Sequence, residues 1–235
     1  MARLSPGMRV LDIAAGTGAA AEATAAMVGP SGHVVAADIS PAMLEKARGR
    51  LSGLPNVSFA VEDGQALTFP DRSFDAVLCQ MSLMLFDDPA WGLSEFRRVL
   101  REGGRAAVSV NTVPDRSFQT RVNNAIARRV PERAATAARF FSLGGAGCLR
   151  ALFEAAGFLD VEVVMEARSY PFSSFSAYFE PIEGGWGQAG QEYLALAPEV
   201  RDAVREEVRL GLEGDAETGG PIEVPVEILF GCGRK

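Results

Sequence analysis

Cysteine and histidine are scarce in this chain: three of the first and one of the second in 235 residues. Cys79, Cys148 and Cys232 lie far apart, no C-x-x-C occurs, and His33 is the only histidine. Neither a zinc site nor a disulfide framework can be drawn from such a set. An odd, scattered cysteine count fits a reducing compartment, so the expected location is the cytoplasm. A basic cluster is also missing, and the formal net charge is −7. That argues against a nucleic-acid groove and against an anionic membrane surface. No apolar run is long enough to span a bilayer. Asp12, Glu22 and several glycines interrupt the early apolar residues, so a secretory signal is not expected in this stretch. Acidic residues do gather at Glu206, Glu207, Glu213, Asp215 and Glu217, where a solvated helix face and loop account for them.

What the chain does hold is a core's worth of apolar residues, 48% of the total. Its length supports one sizeable α/β domain with room for a small appended lobe. The most informative stretch is Arg9-Val10-Leu11-Asp12-Ile13-Ala14-Ala15-Gly16-Thr17-Gly18 and the alanine-rich run after it. Val10, Leu11 and Ile13 suit a strand buried on both faces, as in a parallel sheet. Gly16 and Gly18 allow a sharp turn and close approach of a ligand to the backbone. A helix is predicted from Thr17 to Val28, stopping at Gly29-Pro30. Its start offers free N–H groups and a partial positive charge.

A strand–turn–helix of this kind suits nucleotide-like ligands. A dinucleotide fingerprint would place glycine third, where Ala21 stands. Asp12, at the end of the strand, would repel a pyrophosphate and suits a ligand with an ammonium group and no phosphate. S-adenosylmethionine has that chemistry. Asp38 closes the second strand, His33–Asp38, about 20 residues past the glycines, a spacing that lets a carboxylate accept both ribose hydroxyls. Ile39 and Met43 would then flank the adenine, and Ser40-Pro41 starts the next helix. His33 opens its strand away from the ligand edge and reads as structural.

The first stretch resembles motif I of the class I S-adenosylmethionine-dependent methyltransferases, Asp/Glu-x-Gly-x-Gly-x-Gly. It departs at Ala14, where the family has its first glycine; an alanine is tolerated there if φ stays negative, which is the expectation. The resemblance implies cofactor contacts from Asp12, Ala14, Gly16, Thr17 and Gly18. It also implies that Asp63, after a third strand at Asn56–Val61, accepts from the adenine amine while Gly64 and Gln65 pack the ring. Pro70-x-x-Ser73-Phe74-Asp75 and the apolar strand after it look like the family's fourth strand. Its carboxyl end would bring Cys79, Gln80, Met81 and Ser82 to the reaction cleft, because ligands of open parallel sheets sit at that edge. Leu83 to Phe86 would pack against the methionine portion. Arg97-Arg98-Val99-Leu100-Arg101-Glu102-Gly103-Gly104-Arg105 is similar to the family's Arg-Val-Leu-Arg-Pro-Gly-Gly-Arg, with Glu102 in place of proline, and leads into a strand at Ala106–Val110. The subtype is similar to the ubiquinone/menaquinone-biosynthesis and small-molecule methyltransferases.

The resemblance covers roughly residues 8 to 110 and implies a Rossmann-like methyltransferase fold: α/β, doubly wound, a mostly parallel seven-stranded sheet with an antiparallel last strand. The expected division is a cofactor-binding half over 1–110, a helical insertion over 111–145 that can serve as a substrate lid, and a stretch over 146–235 that completes the sheet. Two helices are expected at Ser117–Val130 and Glu132–Phe141, a sixth strand at Val161–Val164, and an amphipathic helix at Pro198–Leu212. Alternating Ile222, Val224, Val226 and Ile228 mark a half-buried strand. Tyr170 to Gly187 carries Phe172, Phe175, Tyr178, Phe179 and Trp186; a substrate-pocket wall is favoured over a second core patch. The family usually carries helices ahead of motif I, so the short lead-in means a truncated start or a lid supplied from elsewhere, such as a partner chain.

Methyl transfer from a sulfonium is an in-line displacement with a good leaving group, so positioning and exclusion of water suffice for much of it. No general base stands out; Gln80, Tyr170 and Tyr178 are candidates for orienting the acceptor. No metal is expected. The expected partner is a small-molecule acceptor, with a second copy of the chain as a further candidate. Cys79-Gln80-Met81-Ser82 stands where nucleic-acid-amine methyltransferases carry Asn/Asp-Pro-Pro-Tyr, which speaks against DNA or RNA. A protein that binds S-adenosylmethionine without methyl transfer, as sensor or pericyclase, is the main alternative. A nicotinamide-dependent oxidoreductase is a lesser one, which Asp12 and the missing third glycine disfavour.

Overall fold

The computed structural model describes residues 1–213 and 220–235, so Asp215 and Glu217 lie outside the described residues. In chain order the elements are β1 (Arg9–Ile13), α1 (Ala19–Val28), β2 (His33–Asp38), α2 (Pro41–Arg50), β3 (Val57–Val61), β4 (Phe74–Gln80), α3 (Pro89–Val99) and β5 (Leu100–Asn111). They continue as α4 (Thr120–Ala127), α5 (Ala134–Arg139), α6 (Ala146–Ala155), β6 (Leu159–Phe172), α7 (Phe175–Glu183), α8 (Gly187–Leu194), α9 (Pro198–Glu213) and β7 (Ile222–Arg234).

The strands form one seven-stranded sheet in the order β3-β2-β1-β4-β5-β7-β6. The β1, β2, β3, β4 and β5 ladders are parallel, and the last strand is antiparallel. The chain winds outward from β1 through β2 to β3, then returns to place β4 on the other flank of β1. The carboxyl ends of β1 and β4 therefore border the crevice where an open α/β sheet takes its ligands. Val10, Leu11 and Ile13 are buried as a central strand requires. Val10 joins Ala21, Ala25 and Val28 of α1 and Val34, Ala36, Ala76 and Leu78 of neighbouring strands in one cluster. Small alanines on both surfaces let the helix lie close to the sheet.

Local signals set the element ends. Ser40 caps α2 by accepting from the Met43 amide at 3.4 Å, and Asp88 caps α3 by accepting from the Trp91 amide at 2.9 Å. Each is followed by proline at the first helical position. α1 starts at Ala19, two residues later than the sequence pattern suggests, because Gly18 caps it in the left-handed conformation. His33 ties β2 to β3 through a 2.8 Å contact between its Nε2 and the Ser58 hydroxyl.

β5 begins earlier than expected, at Leu100, and carries Gly103 and Gly104 inside it. Phe74 pairs with Leu100 while Ala76 pairs with Arg105, so the extra residues form a bulge. Gly103 has φ +76, and a Cβ on Gly104 would come within 3.0 Å of two backbone oxygens. The neighbouring Ser73-Phe74-Asp75 segment is structural throughout. Ser73 donates to the Pro70 carbonyl at 2.6 Å, and buried Phe74 meets Phe69 edge-on at 5.1 Å. Asp75 accepts from the Arg9 amide at 2.7 Å and from Arg101 at 2.6 Å, joining the starts of β1 and β5.

Two compact units emerge: residues 1–110, 145–164 and 229–235 in the first, 111–144 and 165–228 in the second. Residues 165–228 thus group with the helical stretch after β5. The cause is a shared apolar core: Val122 and Ile126 of α4, Phe175 and Phe179 of α7, Val204 and Val208 of α9, and Val224 and Val226 of β7. The aromatic segment belongs to this core. Phe175 and Phe179 stack at 5.2 Å, Tyr178 meets Phe118 edge-on at 5.5 Å, and all but Phe118 are almost wholly buried. The pocket-wall expectation for Phe175, Tyr178 and Phe179 is therefore corrected to core packing; rings at this density are satisfied by one another.

Asp75→Ala would leave the Arg9 amide without its acceptor and release Arg101. A loss of about 1–2 kcal/mol is expected, read in urea titration as a lower midpoint at unchanged m-value.

Candidate functional site

A cavity of about 380 Å³ opens in the first unit at the carboxyl ends of β1 to β4, within the range of about 300–1,000 Å³ typical of small-molecule sites. Ile13, Ala14 and Gly16 come from the end of β1 and its turn, and Asp38, Ile39 and Met43 from the end of β2 and the start of α2. Glu62, Asp63, Gly64 and Gln65 follow β3, while Ser82, Leu85, Phe86 and Asp87 follow β4. Four consecutive strand ends thus converge on one space, as the switch-point topology requires.

Asp38 ties the first two turns together: its carboxylate accepts from the Gly16 amide and from the Ser40 amide, each at 2.8 Å. Ile39, 68% exposed, and Met43 bring apolar surface to the same rim. The third turn is braced from outside. Asp63 accepts from the Gln65 amide at 2.9 Å, and the Gln65 side-chain oxygen accepts from the Asp88 amide at 2.6 Å at the cap of α3. A Cβ on Gly64 would stand 2.5 Å from the Phe86 ring and 2.9 Å from Ile13. Only glycine lets the turn lie against those two lining residues.

Asp12 is the exceptional group. It is 1% exposed, and among the described residues neither carboxylate oxygen has a hydrogen-bond partner. Burial pushes its pKa up to about 7. The Ala21 amide in the first turn of α1 lies near enough to pull the other way, and the Asp38 carboxylate adds a small further rise. A carboxylate kept this dry without a partner is costly in its charged form.

Ala14 corrects an expectation. Its φ is +55, not negative, so the residue standing where the related motif has glycine occupies a conformation that costs an L-residue about 1–2 kcal/mol. Met81, just past β4, has the same φ of +55; its amide donates to the Ser109 carbonyl at 2.9 Å. Ala14 and Met81 thus both hold left-handed backbone at the ends of neighbouring strands, as Arg3, Arg72 and Asp160 do elsewhere in the chain.

Of the cofactor candidates, Ala14, Gly16, Asp38, Ile39, Met43, Asp63, Gly64 and Gln65 line the cavity. Asp12, Thr17, Gly18, Cys79, Gln80 and Met81 do not. Gly18 is held by packing, since a Cβ there would reach Leu51 at 2.8 Å at φ +85. Cys79 is fully buried, and desolvation drives its thiol pKa upward. The Gln80 side-chain oxygen accepts from Ser109 at 2.8 Å. Tyr178 is withdrawn as an acceptor-orienting group: its hydroxyl donates to the Phe118 carbonyl at 2.5 Å inside the second unit's core, and burial raises its pKa. Tyr170 is exposed on β6 and meets Phe118 edge-on at 6.1 Å. Ile13, Glu62 and Asp87 line the cavity without having been singled out. Glu62 could have been suspected as an acid just past the end of β3, beside the strand that Asp38 closes. Its carboxylate accepts from the Thr68 amide at 2.9 Å and the Thr68 hydroxyl at 2.5 Å. Among the described residues no acid, cysteine and histidine grouping could hold a metal, and no helix is long and apolar enough to cross a membrane.

Residues 10–104 match the family described as a methyltransferase domain. Nocamycin O-methyltransferase of Saccharothrix syringae is 32% identical to this chain over 245 residues, spanning 97% of this chain and 86% of its own. Demethylmenaquinone methyltransferase of Clavibacter sepedonicus is 45% identical over 108 residues, 46% of this chain and 43% of its own. The chain thus spans less than half the length of that relative. A Bacillus halodurans C-125 crystal structure assigned as a methyltransferase superposes with a TM-score of 0.69 at 23% identity, covering 100% of this chain and 95% of the other, a likeness of fold.

Ala14→Gly should relieve the positive-φ strain and raise stability by up to about 1 kcal/mol, or about 2–4 °C in Tm; calorimetry checks it. Asp12 sets a pH dependence. Its pKa is 3.8 when unfolded and about 7 when folded, so the folded chain holds a proton that the unfolded chain has lost. Stability from this group is complete below pH 3.8 and is lost as pH rises through about 7. Asp12→Asn should flatten that slope and leave the ligand-free protein more stable than wild type at pH 8, by at most about 4 kcal/mol, with the difference vanishing near pH 4 in urea titrations.

Proposed function

The chain belongs to the class I S-adenosylmethionine-dependent methyltransferases, and from that premise we propose that it methylates a small-molecule acceptor, a phenol, a quinol or an activated carbon. The observation that carries the reading is the Asp12 carboxyl group, buried and without a hydrogen-bond partner among the described residues, one residue before the cavity lining begins. An acid sealed in this way is stabilised in its ionised form by a nearby cation, and the ammonium group of S-adenosylmethionine is one. The acids that line these turns would repel a diphosphate, which favours this ligand over a dinucleotide.

When bound, the cofactor supplies a methyl carbon on a positively charged sulfur that leaves readily. The rest falls to this chain's residues. Asp38 already accepts from the Gly16 and Ser40 amides; a carboxylate has about four acceptor sites, so two remain for the ribose hydroxyls. Ile39 and Met43, on the cavity rim, would flank the adenine, and Asp63 would accept from its amino group. Gly64 lets the third turn approach, and Gln65 keeps that turn fixed to α3. Ala14, Gly16, Thr17 and Gly18 give the turn that presents backbone to the methionine portion. Leu85 and Phe86 form an apolar wall that excludes water, which favours a displacement in which charge disperses.

The cavity lining contains neither histidine nor lysine, and Glu62 is committed to Thr68. An acceptor acidic enough to lose its own proton suits such a site. Nocamycin O-methyltransferase aligns along nearly the whole chain, whereas the menaquinone-directed relative matches less than half of it. This favours an acidic oxygen, phenolic or enolic, as the methyl acceptor. DNA and RNA are not proposed as substrates, given the net charge of −7.

Asp38→Ala should weaken S-adenosylmethionine binding by about 1.5–3 kcal/mol, roughly 10- to 150-fold, in calorimetric titration. Unchanged affinity would remove Asp38 from the site. The activity is tested with labelled cofactor and a panel of phenols, quinols and thiols. Acceptor-dependent formation of S-adenosylhomocysteine supports transfer; tight binding with no turnover on any acceptor supports a binding protein.

A further inference from the structure

The sheet ends in two edges, and they differ. β3 is five residues long, whereas β6 runs for 14 residues at the other edge. Along β6 the residues from Val164 to Pro171 are exposed on both faces of the strand. Val164, Met165 and Tyr170 are 48%, 56% and 43% exposed. A long edge strand with exposed apolar side chains is a template for pairing with another strand. The sequence of this stretch says which strand.

Val164-Met165-Glu166-Ala167-Arg168-Ser169-Tyr170 is complementary to itself when reversed about Ala167. In an antiparallel pairing centred there, Ala167 stands opposite the Ala167 of a second copy. Glu166 then faces Arg168 of that copy, Arg168 faces its Glu166, and Val164 faces its Tyr170. Glu166 and Arg168 share one face of the strand and already contact each other at 3.3 Å. Two copies would therefore place four charges in an alternating square, every neighbour of opposite sign. Val164 and Tyr170 would close both ends of that row with apolar pairs, the type of cross-strand contact that stabilises sheets. The opposite face carries Met165, Ala167 and Ser169, none charged. Pro171, which has no N–H, ends the run.

We propose that β6 is a homodimer interface, two copies of this chain pairing their β6 edges antiparallel about a two-fold axis at Ala167. Such a contact is isologous and closes on itself. It joins two sheets into one without demanding a new apolar surface. Charged residues and proline also occur on edges simply to prevent pairing; a guard of that kind has no need of mirror-related signs.

Sedimentation velocity on the full chain tests this over a concentration series. Strand pairing of this length lies at the small end of interface sizes, about 1,200 Å² or less, so dimer is expected at about 100 μM and monomer at about 1 μM. E166R and R168E each set like charges opposite one another and should raise the dissociation constant at least about tenfold. The double variant E166R/R168E restores opposite signs and should return it to within about threefold of wild type. Both positions are solvent-exposed, and far-ultraviolet circular dichroism controls for folding. Residues directly opposite in an antiparallel pair stand about 4.5–5.5 Å apart, within disulfide reach. Ala167→Cys in a Cys148→Ser background should therefore crosslink two copies under mild oxidation, and Met165→Cys in the same background should not. A chain that stays monomeric throughout, a dimer indifferent to E166R, or a double variant no better than the singles would each overturn the proposal.

Discussion

A buried acid that is costly to ionise sits at the tip of the central strand, and much of the first unit is arranged around it. Asp12 lies between β2 and β4, inside the sheet, where water does not reach its carboxylate. The chain carries the cost of keeping it there when ionised. The N-terminal turn of α1 offers it partial relief, through the Ala21 amide. The ligand-free protein is thereby less stable at neutral pH than its sheet would allow, a pattern common at sites that recover the cost on binding. The left-handed Ala14 belongs to the same arrangement. β1 must stop and turn within a few residues of Asp12 for α1 to begin, and the backbone accepts strain to do it.

Around this group the other acids along the cavity brace the loops that carry them. Asp38 fixes the first two turns to each other, Asp63 shapes the third, and Glu62 holds Thr68. Three loops that would otherwise move independently are thus given fixed positions by the residues that line the cavity. Preorganisation of this kind lowers the ordering cost of ligand binding. Behind the loops, Arg98 binds Glu95, Asp71 and the carbonyls of Leu67 and Phe69, so the segment before β4 is anchored to α3. The second unit is stabilised differently, by a cluster of interlocking aromatic rings with a tyrosine hydroxyl satisfied internally.

Much of the first unit was legible because its signals are local. A buried strand, two glycines and an alanine helix follow one another without interruption, and Ser40-Pro41 and Asp88-Pro89 announce helix starts by their own chemistry. Eight of the proposed cofactor residues lie on the cavity because the carboxyl ends of parallel strands converge wherever the strand order reverses. Residues that depend on side-chain direction were harder to place. Cys79 and Gln80 end the right strand, yet one is sealed in the core and the other is bound to Ser109. Tyr178 belongs to an aromatic run that reads equally well as pocket or core until its neighbours in space are known.

By itself the amino-acid sequence determined the α/β alternation, the parallel core of the sheet, the acid at the tip of β1 and the turns that follow each strand. These rest on periodicity, capping and backbone freedom, which act over a few residues. Tertiary structure alone decided that Ala14 takes a positive φ, that residues 165–228 share a core with 111–144, and that Asp12 has no hydrogen-bond partner among the described residues. Each of those depends on which distant segments come together, and burial and pairing are properties of that assembly, not of any stretch of chain.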